Sequence, residues 1–275
     1  MLSNKIAFIS ILTLSATLLS GVAAAAEDMV LVPEGSFTPF FLKKDENGNS
    51  SLTATLTAKD SATPDPAAQT TTVSAFWLDA APVTNRKFQD FVSKHPEWNK
   101  SGIKKIFSDS HYLDHWHSDQ GVASSADLDK PVVNVSWFAA AAYCEAQGKR
   151  LPLTDEWEYA LTDNGRNKEN LQKQIISWYS VPNKTLPPVK SQAANGFGVF
   201  DLVGLVWEWT EDFNSYMAPP DSRNSGDKTL FCGSGSLNAS NLGDYAAFMR
   251  YSYRESLKGN FTGKNLGFRC AKDAK

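Results

Sequence analysis

The sequence predicts an irregular α+β fold, and three observations predict it. Only three segments carry a helical apolar stripe, the extended runs are short and scattered, and the chain from Thr162 to Lys275 is rich in Gly, Asn, Ser and Pro with little sustained period. The 275 residues are 42% apolar and 21% charged, the profile of a folded protein with a sizeable core. An aromatic fraction of 12% implies that rings fill much of that core and that the polar tips of Trp and Tyr need partners. A net charge of -3 supplies no broad cationic surface for a phosphate backbone, so nucleic acid is excluded as a partner.

The elements follow in order. Lys5 precedes an uncharged run, Ile6 to Ala26, that ends in Ala24-Ala25-Ala26 before Glu27 and Asp28. This pattern is that of a secretory signal, residues 1–26, with cleavage before Glu27 and a folded segment over 27–275. The run is just long enough to be an uncleaved anchor instead, but its Ser, Thr and Ala content favours removal, leaving no membrane anchor and a periplasmic protein. No cysteine follows it to carry a lipid.

Met29 to Phe37 reads as a strand whose Val30 and Val32 alternate before Pro33-Glu34-Gly35 reverses the chain. Lys43 to Thr72 is polar and is expected to be a surface excursion, with Leu52 to Thr57 alternating like an edge hairpin. Val73 to Leu78 reads as the second strand. Thr84 then caps a helix that places Phe88, Phe91 and Val92 on one face, and Pro96 forbids its continuation. Pro131 to Val135 is a short extended run. Ser136 caps a second helix with Trp137, Ala140, Ala141 and Cys144 in its stripe, ended by Gly148. A third is expected from about Asp155 to Leu161, with Thr154 as its cap and Asp155 and Glu156 at the positive end of the dipole. No internal repeat and no second core is evident.

Only three cysteines exist, Cys144, Cys232 and Cys270. In an oxidising compartment two of them can close a long loop, worth roughly 4 to 5 kcal/mol for a loop on the order of 100 residues. The third is then left over.

Eight segments, in order, carry a resemblance. They are Met29-Val30 through Gly35-Ser36-Phe37, Pro82-Val83-Thr84-Asn85 with Phe88 and Phe91-Val92, Pro131 through Trp137, and Ala142-Tyr143-Cys144. Gly148-Lys149-Arg150-Leu151-Pro152, Glu156 through Ala160, Trp207-Glu208-Trp209 and Gly267-Phe268-Arg269-Cys270 complete the set. Together they resemble the formylglycine-generating-enzyme, or sulfatase-modifying-factor, family and cover nearly all of the chain after the leader. The resemblance implies a C-type-lectin-like variant of the α+β class and a disulfide between Cys144 and Cys270. The chain looks like a periplasmic branch whose members include a pyoverdine-maturation protein and an accessory protein encoded with copper nitrite reductase.

The departures carry as much weight. Where the family has Thr and Glu after Arg-Leu-Pro, building a capping box, this chain has Leu153 and Thr154, so the third helix is expected to start weaker or displaced. The family's reaction needs two nearby cysteines that bind copper(I), activate oxygen and attack a substrate cysteine, lying between a Gly-Gly-Ser-like turn and the terminal Gly-Phe-Arg-Cys. Here that interval, Gly235 through Asp244-Tyr245 to Arg250 and Arg254, holds no cysteine. Copper(I) is held by soft thiolates that Asn, Ala and Tyr cannot replace. Cys232 lies before the turn and reads either as an inert buried thiol or as one soft ligand, beside Met249 or a histidine, so copper or iron stays open.

Calcium is what the resemblance implies for Phe200 to Trp209. Carried over residue by residue, Asp201 and Glu208 are ligands by side chain and Gly204 and Val206 by carbonyl, a mixed oxygen shell that calcium tolerates. Leu205 stands where the family commonly has Asn, and no counterpart of a second, upstream calcium site is evident between Thr162 and Asn195. His111, His115 and His117 cluster with i, i+4 spacing, which suits either two metal-bound imidazoles or plain surface packing.

Three functions follow. The first is an accessory or maturation factor for another exported protein or peptide, with Trp207, Tyr245, Arg250 and Arg254 lining a groove, although Arg254 equally suits a structural tie. The second is a metal-dependent oxidase using Cys232 or the histidines. The third is a lectin-like binding module, on fold analogy alone.

Overall fold

A computed structural model describes residues 28–37, 70–163, 185–213 and 257–274. Four strands form one long antiparallel ribbon with a break in it. β1 (Met29–Val32) pairs with β4 (Phe76–Asp79), Val32 facing Phe76, and β2 (Gly35–Phe37) pairs with β3 (Thr71–Val73), Gly35 facing Val73. Both ladders keep one register, so Pro33-Glu34 lies opposite Ser74-Ala75 in the gap. Proline has no N–H to donate to a ladder, and the pairing lapses there. Two sequence expectations change accordingly: Pro33-Glu34-Gly35 carries the chain onward and does not reverse it, and the run Val73 to Leu78 is divided between two strands. Thr71 and Thr72, expected at the end of the polar excursion, belong to β3; Leu52 to Thr57 lies outside the described residues.

The last strand, β7 (Ala271–Asp273), adds to the other side of β4 and completes a sheet of order β1-β4-β7. Its outer edge is met by Arg150, whose backbone exchanges two hydrogen bonds with Ala271, at 2.9 and 2.7 Å. A second contact between distant segments is the parallel pair β5 (Trp207–Glu208) and β6 (Leu266–Gly267). Gly267 is required there, because a Cβ on it would come within 2.6 Å of the Val132 carbonyl oxygen. Pro131 to Val135 forms no strand: Asn134 turns the chain into the left-handed region at φ 52°.

Helix α1 (Asn85–Lys94) begins as its sequence dictates, with Thr84 Oγ1 accepting from Lys87 N–H at 3.3 Å, and buries Phe88, Phe91 and Val92. Helix α2 (Trp137–Ala146) is capped by Ser136, whose Oγ accepts from Ala139 N–H at 3.2 Å. It buries Ala139 and Tyr143 besides Ala140, Ala141 and Cys144, since it is enclosed on more than one side.

Helix α3 (Thr154–Thr162) starts one residue earlier than expected, with Leu153 at the capping position and Thr154 already inside. Leu153 has no side-chain acceptor. Asp212, 58 residues away, supplies one: its Oδ1 accepts from both the N–H and the hydroxyl of Thr154, each at 2.8 Å. Glu156 reaches back to Leu153 N–H at 2.8 Å, half of a capping box, and is held by two 2.7 Å bonds from Arg150.

The apolar interior divides into two main clusters where the sequence suggested one. The first gathers α1, α2, Trp116, Trp209, Phe213 and Phe268; the second gathers the ribbon, α3, Val199 and Leu202. Neighbouring residues Cys270 and Ala271 contribute one to each. The sulfurs of Cys144 and Cys270 are bonded to each other, tying α2 to the approach to β7 across a sequence separation of 126. The indole and phenol tips find partners as required: Trp116 Nε1 on Asn85, Trp157 Nε1 on Glu208, Trp209 Nε1 on the Val135 carbonyl and Tyr112 OH on the Trp98 carbonyl.

Candidate functional site

The segment from Phe200 to Trp209 lies where the two clusters meet, and its centre is a buried ion pair. Arg269 Nε donates to Glu208 Oε2 at 2.7 Å and Nη2 to Oε1 at 2.8 Å, with both side chains withdrawn from water. The other guanidinium donors go to carbonyls, Nη1 to Asp79 at 3.1 Å and to Ala80 at 3.4 Å, and Nη2 to Phe200 at 2.9 Å. Trp157 Nε1 adds a bond to Glu208 Oε2 at 2.8 Å. A buried arginine thus spends its donors on one carboxylate and three main-chain oxygens drawn from the β4 end and the start of the loop.

Asp201 enters the loop in the left-handed region, φ 57°, and Gly204 follows at φ 95°, which coils the chain tightly. The Asp201 Oδ2 accepts from Lys190 N–H at 2.5 Å, whereas Oδ1 is buried with no hydrogen-bond partner. Burial raises the Asp201 carboxyl above its ordinary range; the Lys190 N–H and Arg269 oppose this and nearby Glu208 adds to it. A buried carboxylate with an unmet oxygen, influenced by a second carboxylate, is a hard anionic oxygen set, and these residues fit calcium by that chemistry. Glu208 is not a free acid, but Oε1 accepts a single hydrogen bond and keeps a lone pair.

The remaining expected residues are distributed as follows. Trp207 is half-buried in β5 against the first cluster. Cys232, Tyr245, Arg250 and Arg254 lie outside the described residues, as does Met249. His111, His115 and His117 are not presented together from a helix; His111 and His115 lie in turns and His117 in a bend beyond them. His115 Nε2 is 3.0 Å from Asn85 Oδ1, an oxygen that also accepts from Trp116 Nε1, while Asn85 Nδ2 donates to the Asp127 carbonyl. These bonds fix the amide and make His115 Nε2 the protonated nitrogen. The ring keeps an exposed face, but its inner edge is desolvated and Lys100 is near, which lowers its pKa to about 4. His111 turns instead to Asp114, 3.5 Å away. Among the described residues, no three His, Cys, Asp or Glu side chains converge as a metal cluster.

Arg269 and Trp157 organise the site, a role that the sequence motifs holding them do not announce. A lone Arg in Gly-Phe-Arg-Cys-Ala and a lone Glu in Val-Trp-Glu-Trp, each between apolar neighbours, are the signal: two charges in short buried segments need each other.

Residues 16–274 match the family described as the sulfatase-modifying factor enzyme 1-like domain. The chain is 28% identical over 257 residues to the formylglycine-generating enzyme of Mus musculus, covering 75% of this chain and 68% of that one. It is 30% identical over 251 residues to the inactive C-alpha-formylglycine-generating enzyme 2 of Bos taurus, covering 74% of this chain and 79% of the relative. The crystal structure of CarF superposes with a TM-score of 0.50 at 16% identity, over 90% of this chain and 98% of that one, a likeness of fold. The chain belongs to the sulfatase-modifying factor enzyme 1-like family.

Proposed function

We propose that this protein is an exported accessory factor, acting in the maturation of another exported protein or peptide and making no formylglycine. The observation that carries the reading is the thiol inventory. Of three cysteines, Cys144 and Cys270 are bonded to each other, which leaves Cys232 where copper(I) chemistry of the family type needs two thiolates. Similarity to a relative named as inactive supports it, as does the leader-like N-terminus, which fits a protein that keeps a disulfide in the periplasm. The deciding experiment incubates the purified protein with copper(I), oxygen and a peptide carrying a sulfatase-type cysteine. No aldehyde is expected, and aldehyde in the peptide by mass spectrometry overturns the reading.

Within the same proposal, calcium is a structural ion on the Phe200–Trp209 loop. Asp201 and Glu208 hold it by side chain and Gly204 and Val206 by carbonyl, and its charge offsets that of the buried Asp201 carboxylate.

A further inference from the structure

Two neighbouring turns share a pattern that the family reading leaves unused. Lys104-Lys105-Ile106-Phe107 is closed by Phe107 N–H donating to the Lys104 carbonyl at 2.9 Å, and Lys258-Gly259-Asn260-Phe261 by Phe261 N–H donating to the Lys258 carbonyl, also at 2.9 Å. The two turns are bound side by side. Asp109 N–H donates to the Asn260 carbonyl at 2.8 Å, and the Asp109 carboxylate accepts from the Thr262 N–H at 3.0 Å and hydroxyl at 2.5 Å. Beneath them Phe107 packs on Phe138, ring centroids 5.3 Å apart, and Gly259 lies so close to Phe138 that a Cβ would come within 3.1 Å of it.

With Phe107 turned inward, Ile106 is left 70% exposed between lysines and their turn, and Phe261 is 37% exposed between Lys258 and Lys264. Lys87, Lys130, Lys149 and Lys190 each pair with an aspartate, whereas Lys104, Lys105, Lys258 and Lys264, like Lys94, Lys100 and Lys272, pair with no carboxylate among the described residues; what sets these four apart is that they fall on two adjoining turns. Asp109 is the acid between the two turns, and it is committed to Thr262 and to the His111 N–H. A chain of net charge -3 therefore gathers unneutralised cations around the exposed Ile106 and the partly exposed Phe261, whose ring lies over Gly263.

We propose that these paired turns are a docking surface for an anionic membrane, with Ile106 and Phe261 entering the headgroup boundary and the four lysines resting on phosphate charge. Charge complementarity selects the partner, because unpaired lysines bracket each apolar tip and the lysine stem reaches along apolar surface while its ammonium stays at the phosphates. Single apolar tips on tight turns suit a fluid surface that yields to them better than a folded protein that must offer a matching pocket.

The test is co-sedimentation of the purified protein with phosphatidylcholine vesicles containing about 30% phosphatidylglycerol, against pure phosphatidylcholine, at low and high salt. Binding to the anionic vesicles alone, lost at high salt, is expected. Lys104→Glu/Lys105→Glu should weaken it by at least about tenfold, and Ile106→Ser/Phe261→Ser should weaken it at unchanged charge. Circular dichroism melts of the lysine variant should match wild type, since Lys104 and Lys105 are exposed and unpaired, and the Ile106/Phe261 variant should still melt cooperatively, as a folded protein does. No binding to anionic vesicles, or binding that both double variants retain, overturns the proposal. Binding to a polyglutamate peptide without binding to vesicles overturns it in favour of an acidic protein partner.

Discussion

Arg269 and Glu208 face each other through two parallel N–H···O bonds of 2.7 and 2.8 Å, both side chains shut away from water. The pair joins β5 to the segment between β6 and β7 and rests on Trp157 from the second cluster. Removing one member strands the other charge in a low-dielectric interior. Arg269→Met should therefore destabilise by about 3 to 5 kcal/mol in urea denaturation, and adding Glu208→Gln should recover part of the loss by removing the stranded charge. Equal stability of wild type and Arg269→Met would contradict this account.

Calcium should raise the thermal midpoint of the protein and chelator should lower it. A site filled at about a hundred times its dissociation constant stabilises by about 2.7 kcal/mol. Asp201→Ala should abolish the calcium response, because its Oδ1 is the buried oxygen without a partner. A response that survives in this variant places the ion elsewhere.

Reduction should be costly and selective. The bond between Cys144 and Cys270 closes a long loop, for which chain entropy gives roughly 4 to 5 kcal/mol. Cys144→Ala should lose about that much, whereas wild type purified without reductant should titrate a single thiol in denaturant, the three cysteines less the bonded two. Two further titratable thiols would mean that the pair is open in the purified protein.

Acid should weaken the structure through His115. Its pKa falls from 6.5 to about 4 on folding, so the neutral ring is the native one and the unfolded chain takes the proton first. The contribution is complete above about pH 6.5 and is lost as pH falls toward 4. Denaturation at several pH values should show His115→Gln with a flatter acid limb than wild type. An NMR titration placing His115 at its ordinary value would remove the effect.

At the start of α3, Asp212 stands in for a cap that Leu153 cannot provide. Asp212→Ala should cost about 1 to 2 kcal/mol, and Leu153→Ser in that background should restore part of it by supplying a local acceptor to the first turn. Unchanged urea midpoints in both variants would argue against the remote cap.

These cases mark what the sequence can reveal. Thr84 and Ser136 cap α1 and α2 from adjacent positions, so local chemistry announces both helices. The α3 start depends on an acid 58 residues downstream, and the Glu208–Arg269 pair spans 61, distances over which no periodicity speaks. The strand break was legible in principle, since Pro33 was in view, but only the register shows that it opens a ladder in place of forming a turn. Resemblance singled out Asp201 and Glu208 as residues of interest; that Glu208 answers a buried arginine was not legible.

The ribbon has a consequence for how this chain tolerates change. Phe37 and Thr71 are direct partners at its far end, so the two points at which the ribbon meets the chain between them lie side by side. Sequence placed there has to satisfy a single end-to-end spacing, and doubling its length costs only about 0.6 kcal/mol of closure entropy. The tip of β2 and β3 is therefore a natural port for grafted sequence: a tag or reporter inserted between Phe37 and Thr71 should leave the strand register as it stands.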